Sequence, residues 1–348
     1  MSPRKEVSEQ ATPPPVGEQA RVEAAAARAG TTQQSGLLAR VGAVRNLGLI
    51  GVLAVLGIIG GLTADTFWTR SNILTILQQG SVIGVISVGM TFVIIGGGID
   101  LSVGKMMALV SVWATTAATQ SYGPVVMVLC ALLVGMGVGL VNGLLIAYGG
   151  MVAFIATLAT LAASRGLAER ISNKQSQLVT QQSISDIATT KWLGIPLLVW
   201  IFAAVAFVGW IVLNRTTYGR RTFAVGGNLE AARLAGINIR RHITTLYVLS
   251  GLCVGIAAIM ITSLTTTGSS THGELYELDS IAAVIIGGTA LTGGRGTVVG
   301  SVIGVIIFTT ISNLFILNNL QTETQNIAKG VIIVIAVLMQ RRSREVAV

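Results

Sequence analysis

The chain has 348 residues, 52% of them hydrophobic and only 11% charged, with a mean hydropathy of +0.76. That balance excludes an ordinary soluble domain and places the chain in a bilayer. The formal charge of +9 does not point to nucleic acid, because Lys and Arg stand where membrane topology needs them, at the ends and in one internal block.

Residues 1 to about 36 are rich in Pro, Ala, Glu, Gln and Arg and hold no apolar core long enough for a signal sequence. They are expected to form a disordered cytoplasmic tail, bounded at 1–40, with Leu37 to Arg45 lying in the membrane interface. Apolar runs then predict ten spans. The first five cover about 47–63, 73–95, 101–119, 125–147 and 151–168. The second five cover about 195–212, 243–262, 281–290, 298–316 and 326–340, the eighth being too short to cross unless its helix extends beyond its apolar run. The expected architecture is therefore all-α: a polytopic membrane domain over 41–340 with about ten transmembrane helices, and a basic cytoplasmic C-terminus at 341–348.

Ten spans leave both termini on the inner side. All but six of the 23 Lys and Arg residues then fall inside, Lys105 among them. The outer six are Arg70, Arg165, Arg170, Lys174, Lys191 and Lys329, and the acidic cluster Glu274, Glu277 and Asp279 is also assigned outside. Cys130 and Cys253 lie in apolar segments and read as small buried hydrophobes.

The polar and glycine-rich positions inside this frame are the candidates for a passage or gate: Gly97, Asp100, Asn142, Gly288, Gly293, Gly294 and Asn313. Asp100 follows Gly96, Gly97 and Gly98, where one span ends and the next begins. Two roles are open to it, capping the third span or marking the solute path. Lys105 is close enough to pair with Asp100 or to snorkel to the inner surface. Asn142 and Asn313 suit hydrogen bonding between helices or to a passing solute. The stretch Gly287 to Gly300, GGTALTGGRGTVVG, reads either as a re-entrant gate or as a plain cytoplasmic hairpin anchored by Arg295. Small-residue spacings at Gly135, Gly139 and Gly143, at Gly251 and Gly255, and at Gly300 and Gly304 predict helix contacts. The pentapeptide VIIGG occurs at Val93 and again at Val284, a repeat too short to carry an inference alone.

The basic segment from Asn214 to His242 is too long for a tight turn and too short for a domain. Gly226, Gly227 and Asn228 signal a turn, Leu229 to Leu234 a short helix, and Gly236 its end. Such a helix is suited to act as a lever for a partner, the alternative being a solvated loop that only obeys topology.

Its sequence EAARLAG, Glu230 to Gly236, resembles the cytoplasmic coupling loop of ABC importer permeases. FWTRSNILTILQQ from Phe67, GGGIDLSVG from Gly96, AVGGNLEAARLAGIN from Ala224 and IAAVIIGGTALTGGRGTVVGSVIG from Ile281 are similar to permeases for ribose, xylose, galactose and related sugars, over about residues 45–340. The resemblance implies the fold of ribose-type permeases, working as a homodimer or paired heterodimer in a bacterial inner membrane. It also implies two cytoplasmic ABC ATPases and an extracytoplasmic sugar-binding protein. Gly227, Asn228, Glu230, Ala231, Ala232 and Gly236 would then engage an ATPase. ATP and Mg would sit on that partner, since this chain lacks a phosphate loop: before Gly104 and Lys105 the required first Gly is Ile99, and Met106 follows in place of Ser or Thr. No catalytic or metal residues are expected, and His242 and His272 fall in different loops. The competing readings are a permease for another solute, such as branched-chain amino acids, and an ion-coupled transporter. The latter would need coupling groups within the spans, where only Asp100, Lys105, Arg165, Glu169 and Lys329 come near.

Overall fold

The computed structural model describes residues 47–345. The expected tail, the interfacial stretch Leu37 to Arg45 and residues 346–348 lie outside the described residues.

The described chain is mostly helical, with 14 helices. In order they are α1 (Leu47–Thr63), α2 (Arg70–Ile95), α3 (Val103–Ala114), α4 (Ala117–Ser121), α5 (Pro124–Ala147), α6 (Ala153–Ser172) and α7 (Gln182–Thr189). Then follow α8 (Leu197–Arg215), α9 (Thr217–Gly227), α10 (Leu229–Leu234), α11 (Ile239–Thr265), α12 (Tyr276–Ile286), α13 (Val298–Leu317) and α14 (Thr322–Glu345). A helix lies in each of the ten expected spans, but the third (101–119) is split between α3 and α4 and the eighth (281–290) is covered by α12 only as far as Ile286. Five of the helices, α2, α5, α8, α11 and α13, are long and apolar enough to cross a membrane. The all-α expectation needs one correction: four two-residue strands pair antiparallel, β1 (Gln177–Leu178) with β4 (Thr267–Gly268) and β2 (Lys191–Trp192) with β3 (Ile195–Pro196).

The third and eighth spans are half-length. α3 has 12 residues and α12 has 11, a rise of about 16–18 Å against about 30 Å of hydrocarbon. The second VIIGG segment ends the short α12, and the first ends the full-length α2. Each ends its helix in the same way, with Gly97 at φ +86° and Gly288 at φ +83°. In each, the next N–H turns back to the first residue of the pentapeptide, Gly98 to the Val93 carbonyl at 2.9 Å and Thr289 to the Val284 carbonyl at 3.1 Å. This is the Schellman ending that a left-handed glycine permits. The repeat in sequence is therefore a repeat in structure.

The core forms around α11, packed by α5, α2 and α3. Along α5, Gly135 and Gly139 let the backbone meet that of Gly251 and Tyr247, and Gly143 meets Thr244. Gly255 likewise sits on Ala131, and Gly300 and Gly304 of α13 on Gly287 and Ala283. These are the close helix contacts that the spacing predicts.

Candidate functional site

The basic segment between α8 and α11 folds into two helices where the sequence suggested one. α9 runs through Gly226 and Gly227, so of the three residues expected to turn only Asn228 breaks the helix. Asn228, extended at φ −157°, caps α10 by accepting the Ala231 N–H at 3.0 Å. α10 has the expected bounds and ends at Gly236, φ +79°, whose N–H returns to the Arg233 carbonyl at 3.0 Å.

One face of this unit is anchored and the other is open. Thr222 and Val225 of α9 are buried, and Thr222 Oγ1 lies 3.0 Å from His242 Nε2 on α11. The Tyr218 ring packs at 4.7 Å against the same imidazole, tilted by 46°, and burial pushes its phenol up to about 12. On α10 only Ala232 is buried. Glu230 and Ala231 are exposed, and Leu234 is 88% exposed, so apolar surface stands open on a short helix beside basic side chains.

The glycines singled out as gate and as lever meet at one place. Gly226 packs on the Ile95 carbonyl at the end of α2, where an added Cβ would also come within 2.8 Å of the Gly294 nitrogen. Gly294 donates to the Ile95 carbonyl at 2.8 Å. A Cβ on Gly293 would lie 3.0 Å from the Gly97 Cα, and one on Gly294 would lie 2.8 Å from the Gly227 Cα. Backbone thus touches backbone among the α2–α3 break, the α12–α13 turn and α9, and Gly97, Gly288, Gly293 and Gly294 all have positive φ. The segment from Gly287 to Thr297 is irregular, which both readings open from sequence allow, and its Gly293 and Gly294 pack on the backbone of Gly97, Gly226 and Gly227.

Asp100 sits next to this junction, fully buried. Its Oδ1 accepts the Ser102 N–H at 3.1 Å and the Asn142 amide at 3.5 Å, and its Oδ2 accepts the Ser250 hydroxyl at 2.9 Å. Asn142 also donates to Ser102 Oγ at 2.8 Å and accepts from Thr160 at 2.6 Å. The carboxylate therefore ties the start of α3 to α5, α6 and α11. Asn313 is engaged in a reciprocal amide pair with Asn72 of α2, at 2.8 and 3.1 Å.

Two placements expected from sequence are corrected. Lys105 does not pair with Asp100; its Nζ lies 2.7 Å from Glu274. Glu274 and Lys105, assigned to opposite faces, are therefore neighbours. The physical reason is a re-entrant segment. β4 pairs with β1, and the chain then doubles back along α3, with Gly268 against Ser111 and Thr115, His272 Nδ1 3.2 Å from Ser111 Oγ, and Gly273 against Gly104. Asp279, also assigned to the outer loop, is buried in α12 and held by Lys329 at 3.1 Å. The lone Lys in the apolar third span was the available signal for this fold-back.

Half-length helices thus stand in a glycine-packed bundle, with the short helix α10 open on one face of its basic segment. Residues 72–337 match the family described as "Branched-chain amino acid transport system / permease component", and the chain belongs to that family of multi-pass ABC importer permeases. It is 40% identical over 303 residues to the ribose import permease protein RbsC of Bacillus subtilis, covering 86% of this chain and 94% of that one. It is 35% identical over 301 residues to the L-arabinose ABC transporter permease protein AraH of Azospirillum brasilense, covering 86% and 89%. The xylose transport system permease protein XylH of Escherichia coli is 30% identical, covering 85% and 91%. No solved structure matches.

Proposed function

We propose that this chain forms the passage for a monosaccharide in an ATP-driven importer, with ten helical segments crossing the membrane and both termini cytoplasmic. The sugar assignment is supported by relatives named for ribose, L-arabinose and xylose, each aligned over at least 85% of the chain. They are narrower in chemistry than the broader family description, which names branched-chain amino acids. The working unit is two permease subunits, two cytoplasmic ATPases carrying ATP and Mg, and an external binding protein that delivers the sugar.

The observation that carries the proposal is the geometry of α10. Its buried side fixes it to the bundle through Ala232, and its exposed side offers Leu229, Glu230, Ala231 and Leu234. An ATPase gripping that side pulls on α9, and through Gly226 on the end of α2 and the α12–α13 turn. Gly227, Asn228 and Gly236 set the angle of α10 and so the aim of the docking face.

The test is co-purification with the cognate ATPase. Gly236→Pro demands φ near −65° where the chain has +79°, and removes the N–H that closes α10. It is expected to lower complex yield at least about ten-fold, with a smaller loss for Glu230→Ala, the equivalent of one charge-assisted contact. Wild-type yields and wild-type uptake in both variants would refute the docking assignment.

A further inference from the structure

The pair Lys105–Glu274 lies at a depth where exposed charge has no business facing lipid. Depth follows from helix rise. Asp100, three residues before α3, bonds to Ser250, the twelfth of the 27 residues of α11, so it stands about 16 Å from one end of that helix and about 22 Å from the other. Lys105 is in the first turn of α3, one turn further on. The Lys105 side chain is 7% exposed, whereas that of Glu274 is 63% exposed. A carboxylate open to hydrocarbon at mid-depth costs several kcal/mol and is retained only where water or protein receives it.

Further observations point the same way. Glu277 Oε2 is buried without a hydrogen-bond partner among the described residues, lying against the bare backbone of Gly104. The backbone between β4 and α12 is irregular, with Gly273 at φ +68° and Leu275 at φ +63°, a form tolerated at depth only beside protein or a wet cavity. On α6, packed against α3, the exposed Arg165 pairs with the half-buried Glu169 at 2.9 Å and lies within the field of Glu274. Charges of both signs are thus gathered on one side of the subunit.

We propose that Lys105, Glu274 and Glu277 form a polar station half-way along the passage, where a neutral polyhydroxylated solute exchanges hydrogen bonds as it crosses. This rests on the importer reading above and adds the place and chemistry of contact. A carboxylate accepts from two neighbouring hydroxyls and an ammonium donates to ring or hydroxyl oxygens, so the pair offers both halves of what a sugar needs. Because the charges of Lys105 and Glu274 cancel, that pair attracts no ion strongly, and a solute that binds can also leave. The half-helices α3 and α12 both begin at this level, which frees the space that two continuous helices would fill.

The station is tested in the assembled importer, with its ATPase and binding protein, in vesicles. In Glu274→Cys, a membrane-impermeant sulfonate thiol reagent is expected to label about ten-fold faster than in the wild-type chain, whose Cys130 and Cys253 supply the blank, since thiolate chemistry needs water. Saturating ribose together with the binding protein is expected to slow that labelling. Glu274→Gln is expected to lower ribose uptake about ten-fold, the equivalent of one charge-assisted hydrogen bond, with complex yield as the folding control. No labelling above the blank means that lipid or a second subunit covers Glu274, and overturns the proposal. So does wild-type uptake in E274Q. If the wild-type importer moves no ribose at all, the sugar reading fails separately, and the labelling result still decides whether the station is wet.

Discussion

Gly226→Ala is expected to cut transport about ten- to a hundred-fold while the ATPase still co-purifies. A single methyl group at this position would occupy the space of the Ile95 carbonyl oxygen and crowd the Gly294 nitrogen. Neither obstacle is the flexible end of a side chain; both are backbone, so the α2 terminus, the α12–α13 turn and α9 must separate. Overpacking of this kind costs about 1–3 kcal/mol, and that much spent against one of two access states shifts their balance by about ten- to a hundred-fold. α10, the surface offered to the ATPase, is outside the contact and keeps its own cap and ending. Binding and transport should therefore part company in this variant. Uptake at the wild-type rate would show that the glycine junction transmits nothing.

Asp100→Leu is the change with the largest expected effect on stability. Removing the carboxylate orphans the Ser102 N–H, the Ser250 hydroxyl and part of the Asn142 amide, all buried. At about 1–3 kcal/mol for each unsatisfied donor, the loss comes to about 3–9 kcal/mol, seen as a fall of at least about 6 °C in the thermal midpoint of the detergent-purified protein. Asp100→Asn keeps one acceptor oxygen and the side-chain shape and is expected to lose about half as much. An unchanged midpoint in D100L would mean that the network holds nothing together.

The helical segments were legible in sequence because apolar length is a strong signal: a helix lies in each expected run, and α10 has the bounds that Asn228 and Gly236 mark. The fold-back after β4 was not. Glu274 and Asp279 look like parts of a solvated loop when read along the chain, and only their partners, Lys105 and Lys329, distant in sequence, reveal that this stretch folds back along the bundle. α9 was missed for a related reason. Two adjacent glycines usually break a helix, but here Gly226 is chosen for close approach to Ile95 and Gly294, a demand that no local pattern displays. The same applies to the meeting of Gly97, Gly226, Gly293 and Gly294. Each was visible as a candidate, two kinds of role were assigned to them, and only the tertiary structure brings them to one point. The VIIGG repeat shows the converse, since five residues carry little weight in sequence and gain it once both copies end their helices alike.

The central claim is that solute passes through this subunit only when an ATPase works α10 from outside the membrane. It is tested most directly by ribose uptake into proteoliposomes holding the permease, its ATPase and the binding protein, with the energy source varied. Uptake that requires ATP, stops when the ATPase is omitted and ignores imposed proton or sodium gradients is the expected result. Uptake that persists without ATP and follows either gradient would contradict the account.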